Sequence, residues 1–501
     1  MVNSPTFSFP QKNQTLCQLE PKVLWQVFDL FTQCPRPSRH EETVLTAIES
    51  LCDSRKLKYF RDTIGNLIIS KPATVGMEHI KGVVMQGHID MVPQKNDDSI
   101  HNFITDPITT LIEDGWVTAD GTTLGADNGI GVAAALAVLI SDDIQHGPLE
   151  LLITIDEESG MAGAYGLKPD TLSGDILLNL DTEDEGEIYV GCAGGVDVSA
   201  QLTMQWQPIV DTNNLCAYQI SIKGLRGGHS GLDIDQGRGN ANKLINQFLI
   251  QYQNALNIKV FSFNGGTLRN AIPRESFTNI VIESNRLQEF KTAIDQFTTE
   301  VTLEFGSVDT HLHIELKDIP LPKQVYAQAS LELLLSSVAN CVHGVTNMSD
   351  EFEGIVDTSN NLAIVKTEGD QVNVLTLVRS LNNLSRDELA KSIQDNFVNH
   401  KAKVTVSGEY PGWKPDPSSK ILQTLCKVYE HEFGKVPKIK VIHAGLECGL
   451  FSQPYPHWDM ISIGPTIRNA HSPDEKAHID SVKKFWDFLT AALKAIPTNN
   501  T

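Results

Sequence analysis

The chain has 501 residues, with hydrophobic residues at 41%, charged residues at 20% and a formal net charge of −22. So much negative charge without a concentrated basic patch argues against nucleic acid or an anionic membrane surface as partner, and the ordinary globular composition argues against disorder. The length asks for roughly two to four domains.

In chain order, residues 1–14 ("MVNSPTFSFPQKNQ") have neither the charged start nor the apolar run of a signal peptide. No later run is long enough to span a bilayer. Eight scattered cysteines contain no CxxC pair, so reduced thiols and a cytoplasmic location are expected. From about residue 38 to 181, apolar runs alternate with amphipathic stretches. "GVVMQGHID" carries a run that ends at His88, "LELLITIDEE" one that ends at Glu157, and "GDILLNLDTE" one that ends at Asp181; between the first two, the Ala-rich "GADNGIGVAAALAVLISDD" predicts a helix starting just after Asp127. This α/β alternation predicts a mostly parallel sheet flanked by helices, with ligands gathered beyond the carboxyl ends of its strands.

After "GCAGG" the pattern changes, to "YQISIKGLRGGHSG", a helical "GNANKLINQFLIQYQNAL", and later "QVNVLTLVRSL", "RDELAKSIQDNFVNH" and "AKVTVSG". Two strand–helix–strand halves inside one insertion are expected. From about Ser407 the first pattern resumes, through "SSKILQTLCKVYEHEFG", "MISIGP" and "SVKKFWDFLTAALKAI". The predicted organisation is a discontinuous domain of residues 1–192 and 401–501, interrupted by an α+β domain of residues 193–400 with two similar halves. Hinges are expected at residues 191–195 and 407–408.

Three successive acids, Asp156, Glu157 and Glu158, close the run "LLITI". Adjacent carboxylates repel unless a cation lies between or opposite them. His88, Asp90, Asp127, Glu157, Glu158, Asp181 and His471 together offer imidazole and carboxylate donors enough for two divalent ions, one carboxylate bridging. Taken singly, each has a plainer role: His88 as a loop histidine, Asp127 as a helix cap, and the acids after Asp181 (Glu183, Asp184, Glu185) as a solvated run. If Glu158 binds an ion, its neighbour Glu157 is left free to act as a base.

"GHIDMVPQ", "GADNGIG", "DEESGMAGAYGL", "NLDTEDEGEIYVGCAGG", "GGHSG", "NGGTLRNAIPRE", "HAGLECG" and "IGPTIRNAHSPDE" follow one another along the whole chain. In these motifs the sequence resembles the dipeptidases of the M20 family of co-catalytic metallopeptidases, the aminoacyl-histidine dipeptidases in particular. The resemblance implies a zinc-peptidase-like α/β domain interrupted by a lid. It implies two divalent ions, zinc with cobalt or manganese as substitutes, held by His88 and Asp181 on one side and by Glu158 and His471 on the other, with Asp127 as the bridge. Asp90 would orient His88, Glu157 would be the general base, and His229 of "GGHSG" would stabilise the oxyanion. Arg379 and Asn270 are implied for the substrate's carboxyl end, with Arg269 and Arg274 as competitors, and Glu447 for its amine. The activity implied is hydrolysis of dipeptides with a free amino terminus, including β-Ala-His, by a monomer or a homodimer. An N-acyl amino acid deacylase and a non-catalytic, metal-dependent peptide-binding protein are the alternatives.

Overall fold

Four apolar runs, Leu149–Thr154, Val83–His88, Ile176–Asn179 and Asp459–Ser462, lie side by side and parallel in the computed structural model, which describes residues 15–96, 99–350, 352 and 354–498. Residues 1–14, read above against a signal peptide, lie outside the described residues. Val83–His88 is buried at every position, the pattern of a parallel strand covered on both faces. Four more strands complete an eight-stranded sheet in the order 58–61, 67–71, 149–154, 83–88, 176–179, 459–462, 187–192, 438–442. Its pairings outside the parallel centre, 58–61 with 67–71, 67–71 with 149–154 and 459–462 with 187–192, are antiparallel.

The helix Ala126–Ile140 is buried from Asn128 to its end. Such a helix needs no polar face, which is why its sequence is alanine-rich rather than amphipathic. Asp127 (φ −79°, ψ 116°) and Asn128 (φ −100°, ψ 29°) are not helical, so the regular helix begins at Gly129.

Two compact units divide the chain: residues 1–191 with 415–441 and 446–501, and residues 192–414 with 442–445. Residues 401–414, expected in the first domain, fall in the second, because Lys403–Tyr410 pairs along Gly194–Thr203. The expected hinge at residues 407–408 lies inside that strand, where the register shifts between Ser407 and Tyr410.

The second unit is built on an antiparallel sheet whose path runs 313–319, 215–223, 276–283, 259–265, 356–368, 371–380, 194–203, 403–410, with Gly344–Met348 also paired to Val356–Glu368. Each half has the chain order β-α-β-β-α-β. The first comprises Leu215–Lys223, helix Ala241–Tyr252, Lys259–Gly265, Ser276–Glu283, helix Leu287–Phe305 and His313–Ile319. The second comprises Gly194–Thr203, helix Gln328–Asn340, Val356–Glu368, Gln371–Ser380, helix Asn383–Asn399 and Lys403–Tyr410. They join where Lys259–Gly265 meets Val356–Glu368. Residues from all four helices, among them Phe248, Phe297, Leu334 and Phe397, bury into a single apolar core with the strands. All eight cysteines are free, and among the described residues no helix is long and apolar enough to cross a membrane.

Candidate metal centre

His88 ends its strand, while Glu157 and Glu158 follow the next parallel strand and Asp181 the one after. Neighbouring parallel strands therefore deliver these side chains to one end of the sheet. Asp127 comes from the loop before the buried helix, and His471 from the segment after the strand Asp459–Ser462. Asp156 (φ 55°) and His471 (φ 63°) are held in the left-handed region, a local cost tolerated where direction matters.

Asp127 places Oδ1 3.2 Å from His88 Nε2 and Oδ2 3.2 Å from His471 Nε2. One carboxylate is thus shared by two clusters. His88 Nε2 lies 3.3 Å from Asp181 Oδ1, and His471 Nε2 lies 3.0 Å from Glu158 Oε1. Neither Asp181 Oδ1 nor Glu158 Oε1 is in hydrogen-bond geometry with any donor, although both are buried. Donors about 2.0–2.1 Å from a tetrahedral ion stand about 3.3 Å apart. Close approach without hydrogen bonding is what such ligands show, and His88–Asp127–Asp181 and Asp127–Glu158–His471 each fit one ion. A third grouping, His88–Glu157–Glu158, also converges.

The ion-free protonation of the cluster leads to the same need. Burial lifts Asp181 to about 7 despite His88, with Asp127 and Glu158 adding to the rise. The carboxylates of Asp127 and Glu158 beside its Nε2 raise His471 to about 11. Burial, and after it Glu158, Asp181 and Glu447, push Glu157 well above the usual carboxylate range, against the lowering pull of His88. So many buried carboxyl and imidazole groups can share one place only with positive charge among them, as protons or as metal ions.

Asp90 aims the acids. Its Oδ1 accepts the Glu157 N–H at 3.0 Å and lies 3.4 Å from His88 Nδ1. Its Oδ2 accepts the Glu158 N–H at 3.2 Å and the Ser38 hydroxyl at 2.8 Å. Asp156, the first of the three acids, turns away to Arg39 and Ser159.

Sequence reasoning missed two buried residues that grip the ligand loops. Glu475 accepts four backbone N–H groups: Leu124 and Gly125 on Oε2 at 2.8 and 2.9 Å, Ala126 and Asp127 on Oε1 at 2.8 and 3.1 Å. The Arg36 guanidinium donates to the carbonyls of Ile89 at 2.7 Å and Gly125 at 2.6 Å. Gly125 sits at φ 71°, and a Cβ there would stand 2.5 Å from Arg36 Nη2. Nothing in the motif "HSPDEK" signals this, since the partners lie some 350 residues away.

Two expectations need correction. Glu447, expected to meet a substrate amine, is fully buried, and its Oε2 is taken by Gln86 Nε2 at 2.5 Å and Thr154 Oγ1 at 2.8 Å. It stands behind the ligands, lifted to about 8 by burial, with His88 lowering it and Asp181 and Asp90 raising it. Glu183 is half-buried rather than solvated, and burial followed by Asp127 and Asp181 raises it to about 8. Asp184 and Glu185 are held by Arg468 at 2.6 Å and Lys484 at 3.5 Å.

In the second unit, His229 Nδ1 accepts the N–H groups of Gly231 and Leu232 at 3.2 and 3.0 Å. The ring proton therefore sits on Nε2. Burial, then Arg379, lowers His229 to about 4, so the ring is neutral. Strand pairing sets His229 opposite Ala271, beside the exposed Asn270, whose carbonyl accepts the Ser230 N–H at 2.8 Å. Of the competing arginines, Arg269 is committed to Asp197, Arg274 is exposed, and Arg379 is buried beside Ser230.

The family model for peptidase family M20/M25/M40 matches residues 84–495. The chain is 43% identical over 482 residues to the cytosol non-specific dipeptidase of Escherichia coli K12, covering 96% of this chain and 99% of that protein. Among solved structures it matches an aminoacylhistidine dipeptidase from Vibrio alginolyticus with a TM-score of 0.87 and 47% identity, over 97% of this chain and 98% of the other. A Staphylococcus aureus tripeptidase, 15% identical with a TM-score of 0.56 over 95% and 99% of the two chains, shares the fold.

Proposed function

The chain belongs to peptidase family M20/M25/M40, and from that premise we propose that it is a cytoplasmic, two-metal dipeptidase acting on dipeptides with a free amino terminus, Xaa-His dipeptides such as β-Ala-His among them. The observation that carries the reading is Asp127, whose two oxygens each face a different imidazole at 3.2 Å. His88 and Asp181 would hold one ion, Glu158 and His471 the other, with Asp127 between; this donor set suits zinc, with cobalt or manganese as substitutes. Bound there, such a pair polarises a carbonyl and lowers the pKa of a water towards neutrality.

The chain's own groups do the rest. Glu157, held by Asp90 through its backbone N–H, takes the proton of the attacking water and passes it to the leaving amine. His229 carries its proton on Nε2 and donates it as a hydrogen bond to the developing oxyanion. Arg379 meets the terminal carboxylate, the charge that sets a dipeptide apart from a longer chain, and Asn270 stands beside it. The relatives named as dipeptidases support the substrate class.

The test is a panel of Ala-His and β-Ala-His beside their N-acetylated equivalents, assayed before and after chelation and after zinc, cobalt or manganese is restored. Hydrolysis of the free-amine dipeptides alone, lost on chelation and regained on reloading, is expected. Preference for the acetylated compounds would instead make the protein an N-acyl amino acid deacylase.

A further inference from the structure

Three arginines are buried among the described residues: Arg36, Arg379 and Arg386. Arg36 is wrapped in carbonyl oxygens, and Arg386 faces Asp387 and Glu409 at 2.7 and 2.5 Å. Arg379 differs. Its hydrogen bonds go to two hydroxyls, Nε to Ser230 Oγ at 3.3 Å and Nη1 to Tyr410 Oη at 2.7 Å, while the nearby Asp197, which feels the charge of both arginines, forms its ion pair with Arg269. A buried guanidinium whose hydrogen bonds all go to neutral groups is suited to take an arriving anion.

The sheet holds it there by register. Arg379 pairs with Gly195, and Gly195 pairs with Tyr410, so the three form one cross-strand row on one face. The middle position has to be empty for the outer two to touch. A Cβ on Gly195 would stand 2.5 Å from Tyr410 Oη and 2.6 Å from its Cζ.

Tyr410 reaches this row only through a bulge. Ser407 pairs with Asp197 and Tyr410 with Gly195, so three steps on one strand oppose two on the other. The extra residue falls by Gly408, at φ 63°. Bulges of this kind re-aim side chains. Without it Glu409 would face Gly195, and Tyr410 would point to the opposite face.

We infer that Tyr410, brought across Gly195 by the bulge at Gly408, is a positioning residue that holds the Arg379 guanidinium ready for the carboxylate of the substrate, with Ser230 fixing its other edge. The inference rests on the reading above that Arg379 meets that carboxylate. Since Ser230 follows His229 directly, the same contacts tie the carboxylate anchor to the oxyanion donor. Tyr410 then controls which substrates are recognised and leaves the proton transfers alone.

The experiment measures KM and kcat of the metal-loaded enzyme on Ala-His and on its C-terminal amide, for the wild type, Tyr410→Phe, Ser230→Ala and Arg379→Ala, with a melting curve for each. For the wild type, the amide is expected to have a KM about tenfold or more above the acid, the size of one lost charge-assisted contact. Tyr410→Phe should shrink that ratio by about threefold or more through a higher KM for the acid, with kcat on the acid within about twofold. If Arg379→Ala abolishes the ratio while Tyr410→Phe keeps it at the wild-type value, the positioning role is overturned and the carboxylate reading stands. If Arg379→Ala keeps the ratio, the carboxylate reading itself fails. Should Tyr410→Phe not fold, Ser230→Ala decides the matter: a reduced ratio supports the held guanidinium, and an unchanged one overturns it.

Discussion

Asp127 is the residue on which the centre turns, and its geometry makes a prediction about protons. His471, raised to about 11 by the Asp127 and Glu158 carboxylates beside it, and Asp181, raised to about 7 by burial, both hold protons near neutral pH when no ion is bound. Both must lose those protons to become ligands. Loading therefore releases protons, and apparent metal affinity should rise as the pH goes from about 6 to 8. Calorimetric titration with zinc in two buffers of different ionisation enthalpy reads this directly; identical heats in both would show that no proton leaves.

Glu157 carries a sharper expectation. Glu157→Ala should lower kcat by about a hundredfold to ten-thousandfold while the metal content, read by elemental analysis, stays at the wild-type value. Loss of an ion together with activity would move Glu157 into the third grouping, beside His88 and Glu158, as a ligand. The ligand candidates were legible in the sequence because each closes an apolar run or sits in a motif. Glu447 was not, because its neighbours Gln86 and Thr154 are hundreds of residues away in the chain.

At the level of elements, three ligand-bearing segments are fastened by two oppositely charged groups. Arg36 draws in the carbonyl of Ile89, next to His88, and that of Gly125. Glu475 collects the four N–H groups that lead up to Asp127, and it lies on the same segment as His471. Glu475→Gln keeps the shape but puts an NH2 group against N–H donors. It should weaken zinc binding by about tenfold to a hundredfold, measured by competition with a chelating dye, whereas unchanged affinity would reduce Glu475 to a loop brace. The parallel strands and the buried helix were readable from apolar runs and alanine content. The bulge at Gly408 was not, for Ser-Gly within a strand reads equally as a turn or a joint, and only the register with Asp197 and Gly195 tells them apart.

For the whole molecule, the interruption of the α/β unit by an α+β one was visible as a change of pattern after "GCAGG", but its far boundary was placed too early. Residues 403–410 alternate weakly and lie largely exposed, so nothing in their composition separates an edge strand of the second unit from a connection back to the first. The doubling of the second unit was legible as two strand–helix–strand halves. Its winding was not, because the strand that completes the later half, Gly194–Thr203, comes before the whole of the earlier half.

That winding has a consequence during synthesis. Gly194–Thr203 leaves the ribosome with both of its neighbours, Gln371–Ser380 and Lys403–Tyr410, still untranslated. At about 5–20 residues per second, the on the order of 170 residues in between take roughly 10–30 s to appear. Throughout that interval a ten-residue strand with a buried-type apolar face waits unpaired, so the nascent chain should depend on holdase chaperones over this stretch.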